Sequence, residues 1–173
     1  MSHEASPLPP PGAIHDLAER AVEFVRNAIG IVLDYTPETL PLLDHYLGGV
    51  PRDQPETVAL IAAAAGGYFG EVVRRALGGV WEQTDRDATE WALALGGGLR
   101  IAPNALATEA ILQADGGGAD YDVPAADVEA VEDALEARGP VPADEYYALS
   151  GRLEVLRLIA DTLAARAANP AAR

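Results

Sequence analysis

From Ile14 the apolar residues Leu17, Ala21, Val25, Ala28 and Val32 recur at steps of three and four, with Asp16, Glu19, Arg20, Glu23 and Arg26 on the other faces. That spacing predicts an amphipathic helix with one side turned to a core. Thr36 followed by Pro37 reads as an N-cap with proline in the first helical position, and Leu40, Leu43 and Leu47 then line one side until Gly48-Gly49 stops the helix. Pro41 lacks the N–H its turn would use, so this second helix is expected to start late or irregularly. A third helix is predicted from Asp53 to Leu77, with Asp53 and Glu56 as a capping box, Gly78-Gly79 as terminator, and Val58, Ile61, Ala65, Tyr68, Val72 and Ala76 as its buried stripe.

The period then changes. Val80–Glu82, Glu90–Leu95 and Leu99–Ile101 are short β-type runs, separated by the polar loop Thr84–Asp87 and by Gly96-Gly97-Gly98, which predicts a three-stranded meander. Asn104 after Pro103 is placed to cap a short helix through Ala114. The glycine- and aspartate-rich stretch Asp115–Val123 reads as a mobile loop. Beyond it, Pro124–Arg138 puts Val128, Val131 and Leu135 on one side, and Pro142–Ala167 carries Tyr146, Leu149, Leu153, Leu156, Ala160 and Leu163 at coiled-coil-like spacing. The short Gly139-Pro140 link predicts antiparallel packing of these two helices. The expected fold is therefore α+β: N-terminal helices, a small three-stranded antiparallel sheet and a C-terminal helical hairpin. Residues 1–12, rich in proline, are expected to be a disordered leader. The remainder, 13–173, forms a single domain with a helix/sheet part at 13–114 and the hairpin at 124–168.

Length and composition fit that picture. A chain of 173 residues buries roughly 70% of its unfolded surface, enough for one conventional core. With no cysteine, disulfides and thiolate metal sites are excluded, and the absence of a basic and then apolar opening segment points to a cytoplasmic chain outside the membrane. The charge is more informative. All 12 basic residues are arginine against 27 acids, and the net charge of −15 disfavours binding to nucleic acid or to an anionic membrane surface. The acids are clustered as well: between Glu109 and Glu145 there are eleven, against Arg138 alone. A field this one-sided would steer a basic protein partner.

Candidate chemistry is sparse. His3, His15 and His45 show no ligand spacing, and although Asp34 and Asp44 could join His45, no metal or cofactor is expected. Ser2, Ser6 and Ser150 sit in no nucleophile elbow, Gly96-Gly97-Gly98 does not lead into a phosphate-binding helix, and Asp115, Asp120 and Asp122 fail the calcium-loop spacing. One segment stands out, Gly66-Gly67-Tyr68-Phe69-Gly70-Glu71 with Arg74 and Arg75, closed by Gly78-Gly79-Val80-Trp81. Each glycine inside a helix is unfavourable by up to about 1 kcal/mol relative to alanine, so the close approach of another backbone is expected there. Glu71 lies one turn before Arg75 and on the side of Tyr68. Read structurally, Glu71 ties its helix to the neighbouring loop or sheet. Read functionally, Tyr68, Glu71, Arg75 and Trp81 line a binding pocket with Glu71 as general base or ligand anchor. The structural reading is preferred, since ion pairs serve architecture more often than catalysis.

Leu33-Asp34-Tyr35, Leu43-Asp44, Tyr68 with Gly70-Glu71, Gly78-Gly79-Val80-Trp81 and Pro103-Asn104 together resemble the running pattern of a bacterial family classed only as a domain of unknown function. The resemblance spans about Leu33 to Ala114 and implies the same helix–helix–sheet order, with no activity attached. The expected function is thus that of a non-enzymatic acidic interaction domain, monomeric or homodimeric, that binds a basic protein. The alternative is a small-molecule-binding or enzymatic domain with its pocket near Glu71.

Overall fold

The computed structural model describes residues 9–114 and 121–169. Most of the expected leader and the Asp115–Asp120 part of the expected loop lie outside them. Pro9–Pro11 run directly into α1 (Gly12–Ile29), where the Pro11 carbonyl accepts the His15 amide at 2.9 Å. The helix stops at Gly30, whose left-handed φ of 75° returns its amide to Arg26, so Val32 never joins the helical face. The buried stripe is Ile14, Ala18, Ala21 and Val25. Relative to expectation the face is rotated toward Ile14 and Ala18, and Ala28 is exposed.

The second helix begins irregularly, as Pro37 and Pro41 require: a 3-10 turn at Pro37–Thr39 precedes α2 (Leu40–Gly48), which buries Leu40, Leu43 and Leu47. α3 (Pro55–Leu77) is the central helix. Its N-cap is Gln54, and the predicted Asp53–Glu56 capping box does not form, because Pro55 in the first position sets the start beyond Asp53. By length and composition α3 could cross a membrane, yet it is mostly buried inside this fold. Its three glycines explain how. A Cβ on Gly66 would stand 2.6 Å from the Asn104 Cα, one on Gly67 2.8 Å from the Leu17 side chain, and one on Gly70 2.4 Å from the Trp81 ring. Each glycine thus admits a different neighbour, and the helix propensity they lose is offset by packing on three sides.

The sheet is the predicted meander, with β1 (Val80–Glu82), β2 (Ala92–Ala94) and β3 (Arg100–Ile101) antiparallel in that order and Trp81 opposite Leu93 opposite Ile101. β2 is shorter than predicted, since Asp87 caps a 3-10 turn at Ala88–Glu90. Next, α4 (Pro103–Leu112) starts with Ala102 as N-cap, so Asn104 lies inside the helix and is not its cap.

In the C-terminal part, α5 (Val128–Arg138) packs on α7 (Leu149–Ala168). Asp127 before α5 bonds Arg166 near the end of α7 at 2.7 Å, and this fixes the pair as antiparallel. The predicted single helix from Pro142 is in fact two pieces, α6 (Ala143–Tyr146) and α7, broken at Tyr147–Ala148. The cause lies in α2: Asp44 accepts the amides of Leu149 and Ser150 at 2.7 and 3.1 Å and the Ser150 hydroxyl at 2.6 Å, capping α7 from outside. Leu149, Leu153, Leu156 and Leu163 are buried as expected, joined by Ile159, whereas Tyr146 is half exposed and belongs to no seam.

Candidate functional site

Glu71 is fully buried at the middle of the fold. Its carboxylate is held from two elements. Arg74, one turn later on α3, closes a two-pronged ion pair on it, Nε to Oε1 and Nη2 to Oε2, both at 2.9 Å. The Trp81 indole N–H from β1 reaches Oε1 at 2.8 Å, which is possible because Gly70 leaves room for the ring. Arg75, the expected partner at one helical turn, lies farther off, with Nε 3.9 Å from Oε2. It sits instead over the ring of Tyr35, 4.2 Å from the centroid.

Tyr35 extends the assembly outward. Its ring stacks on Tyr68 at 4.8 Å, its hydroxyl donates to Glu19 of α1 at 2.5 Å, and its amide donates to the Tyr68 hydroxyl at 2.9 Å. Its φ of 64° is the left-handed value that a bulky residue rarely adopts, so this position is strained and held by its contacts. Asp34 helps to hold it, accepting from the Thr36 amide and from the hydroxyls of Thr36 and Thr39. The Thr36 hydroxyl and then its amide keep the Asp34 carboxyl below the usual carboxylate range. Burial, reinforced by the Glu19 hydrogen bond, pushes the Tyr35 phenol up, and burial does the same to Tyr68.

All four predicted site residues therefore meet. Tyr68 is buried with its hydroxyl shared between the Tyr35 amide and the Thr39 hydroxyl, Glu71 is saturated by donors, Trp81 is one of those donors, and Arg75 is the one with a reachable face. Sequence reasoning missed Tyr35, Glu19 and His15, and it gave Arg75 the place that Arg74 holds. A cleft of about 600 Å³ opens beside this cluster, lined by Pro10, His15, Glu19, Tyr35 and Arg75 with Glu71 and Arg74 behind them. What it offers chemically is a cation on an aromatic face next to a carboxylate. Glu71 itself is no unoccupied base there, because each of its oxygens already accepts a hydrogen bond from a fixed partner.

Of the residues weighed for metal binding, Asp44 is committed to α7 and Asp34 to its threonines. Among the described residues no group of three or more His, Asp or Glu side chains gathers. No family model matches the chain, and no curated protein or solved structure matches it significantly. Function must be argued from the molecule itself.

The acids between Glu109 and Glu145 are not equivalent. Glu109 is buried against Arg152 at 3.0 Å, Asp127 against Arg166 at 2.7 Å, and Asp122 faces Arg100 at 3.1 Å. Glu129, Glu132, Asp133 and Glu136 are different: all four are exposed on α5, and among the described residues no arginine pairs with any of them. Their spacing puts them on one stripe of the helix, away from buried Val131.

Proposed function

We propose that the chain is a cytoplasmic, non-enzymatic interaction domain that offers the acidic stripe of α5 to a basic protein. The observation that carries this reading is the unpaired state of Glu129, Glu132, Asp133 and Glu136 on one helix face. Like charges three and four residues apart destabilise a helix by about 0.2–0.5 kcal/mol per pair, and four such pairs occur within this stripe. A fold that answers Glu109, Asp122 and Asp127 with arginines leaves this stripe to be answered from outside. The stripe runs roughly 10 Å along the helix, which suits two or three arginine or lysine side chains of a partner. The test is a quadruple variant, Glu129→Gln, Glu132→Gln, Asp133→Asn and Glu136→Gln, compared with wild type as bait in lysate of the source organism at low and moderate salt. Basic proteins should be captured by wild type, released by salt and lost by the variant, which should melt no lower than wild type. Capture of the same proteins by both baits, or a large drop in melting temperature, would contradict the reading.

A second reading rests on the cleft beside Glu71, where a small ligand could lie against Arg75 and Tyr35. If Glu71 were an anchor for that ligand, Glu71→Gln should fold like wild type and lose only binding. The ion-pair geometry calls for the opposite.

A further inference from the structure

The cleft beside Glu71 carries two charged groups that the buried Glu71–Arg74 pair leaves unused. From α3 comes Arg75, whose side chain is 41% exposed. Its nearest carboxylate oxygen is Glu71 Oε2 at 3.9 Å, beyond hydrogen-bond distance and already taken by Arg74. One face of its guanidinium lies on the Tyr35 ring, and among the described residues no acceptor meets its N–H edge. From α1 comes the exposed Glu19, whose Oε1 accepts the Tyr35 hydroxyl at 2.5 Å. Its other oxygen meets no donor among the described residues.

Tyr35 links the two. Its ring lies under Arg75 and its hydroxyl rests on Glu19, so a free cationic edge and a free carboxylate oxygen are held one aromatic ring apart. The link is stiff, because the φ of 64° is kept by stacking on Tyr68 and by the Asp34 turn. Backbone held in so sparsely populated a region concentrates where ligands are clamped. Pro9 and Pro10 also wall the cleft, with rings that carry no N–H donor and present a surface for hydrocarbon. His15, one turn before Glu19 on α1, stands on the same rim, where its imidazole can serve either charge. The volume of about 600 Å³ falls within the roughly 300–1,000 Å³ of small-molecule sites. Charge selects the ligand. An anion at Arg75 would also meet the Glu19 carboxylate, and a cation at Glu19 would also meet Arg75. A molecule with a carboxylate and an ammonium on neighbouring atoms answers both and brings no net charge.

We propose that this cleft binds an α-amino acid, its carboxylate accepting from Arg75, its ammonium donating to Glu19 and its apolar side chain lying against Pro9 and Pro10. The proposal rests on the second reading above, that the cleft takes a small ligand, and puts Arg75 and Glu19 in the place of Glu71 as anchors. The probes are L-phenylalanine, 3-phenylpropanoate and 2-phenylethylamine, which share one hydrocarbon body and differ in charge. Each is titrated into the full chain and followed by the Arg75 Nε–H and Gly12 amide resonances, with Gly12 alone read in the variants. L-Phenylalanine should shift both saturably and bind about ten-fold or more tighter than either analogue. Glu19→Gln keeps an acceptor for the Tyr35 hydroxyl but removes the charge, and should erase the preference over 3-phenylpropanoate while leaving that over 2-phenylethylamine. Arg75→Gln should do the reverse. Both side chains are exposed, so the variants keep the fold, and a merely structural effect of either would not produce this crossed loss. No saturable shift with any of the three probes overturns the proposal together with the cleft reading. An analogue that binds as tightly as L-phenylalanine, or variants whose losses do not cross, overturns the amino-acid assignment and leaves the cleft a site for another ligand.

Discussion

Glu71 shows how one side chain can look like a catalyst in the sequence and act as a rivet in the fold. Its neighbours Tyr68, Arg75 and Trp81 were legible because helix spacing and a following Gly-Gly-x-Trp turn bring them to one place. The partition between Arg74 and Arg75 was not, because it depends on which guanidinium points inward, and that is set by packing against β1 and Tyr35. The positive φ of Tyr35 also leaves no mark in composition or periodicity. The consequence for stability is specific. In Glu71→Gln the amide nitrogen would face the donors of Arg74 or Trp81, and Arg74, only 7% exposed, would lose its counter-charge. Removing one partner of a buried pair is unfavourable by about 3–5 kcal/mol, so urea unfolding should report a loss of that order. The double variant Glu71→Met with Arg74→Met should recover a large part of it, since no charge is then left buried alone. A single variant as stable as wild type would show that the pair contributes nothing and would reopen the anchor role for Glu71.

Among the elements, those whose limits are written locally were readable and those limited by distant residues were not. The meander followed from short β-runs between turn residues, and the glycines of α3 correctly announced close neighbours. The break between α6 and α7 could not be read, because the residue that caps α7 is Asp44, 105 positions earlier than Leu149. Periodicity through Tyr146 and Leu149 is compatible with one helix, and only the tertiary cap ends it. Burial raises the Asp44 carboxyl above its ordinary value of 3.8, although the Ser150 and Leu149 donors act in the other direction. A carboxyl raised in the folded state binds its proton more readily there than in the unfolded chain. Its contribution to stability is therefore fully present below 3.8 and declines as pH rises through the folded value. Comparing wild type with Asp44→Asn across that range isolates this group from the other acids. The stability advantage of wild type should shrink from acid toward neutral pH and then level off. An advantage that grows with pH would mean that the three hydrogen bonds outweigh desolvation.

At the scale of the whole molecule the question is what the net charge of −15 does once the fold has used its arginines. The apolar seam of α7, whose coiled-coil-like spacing would also suit a second copy, is covered by the chain itself: Leu149, Leu153, Leu156 and Leu163 are each at most 3% exposed. α2, α3, α4, α5 and the Gly96–Gly98 turn all contact α7, and Gly97 lets Leu163 approach where a Cβ would stand 2.8 Å away. Among the described residues, the large apolar side chains that remain exposed, such as Val32 after α1, Leu60 on α3, Val80 on β1 and Val128 on α5, lie on separate segments and form no continuous helix seam for a dimer. Two copies would also bring uncompensated acidic surfaces together, a repulsion felt over about 10 Å at 0.1 M salt. The expected light-scattering mass is that of one chain at low salt and at high salt alike. A dimer that tightens as salt screens the repulsion would locate an apolar interface outside α7. A dimer that dissociates on adding salt would point to a polar interface between an acidic surface and exposed arginines of the other copy, and the α5 stripe would then have its basic partner in its own kind.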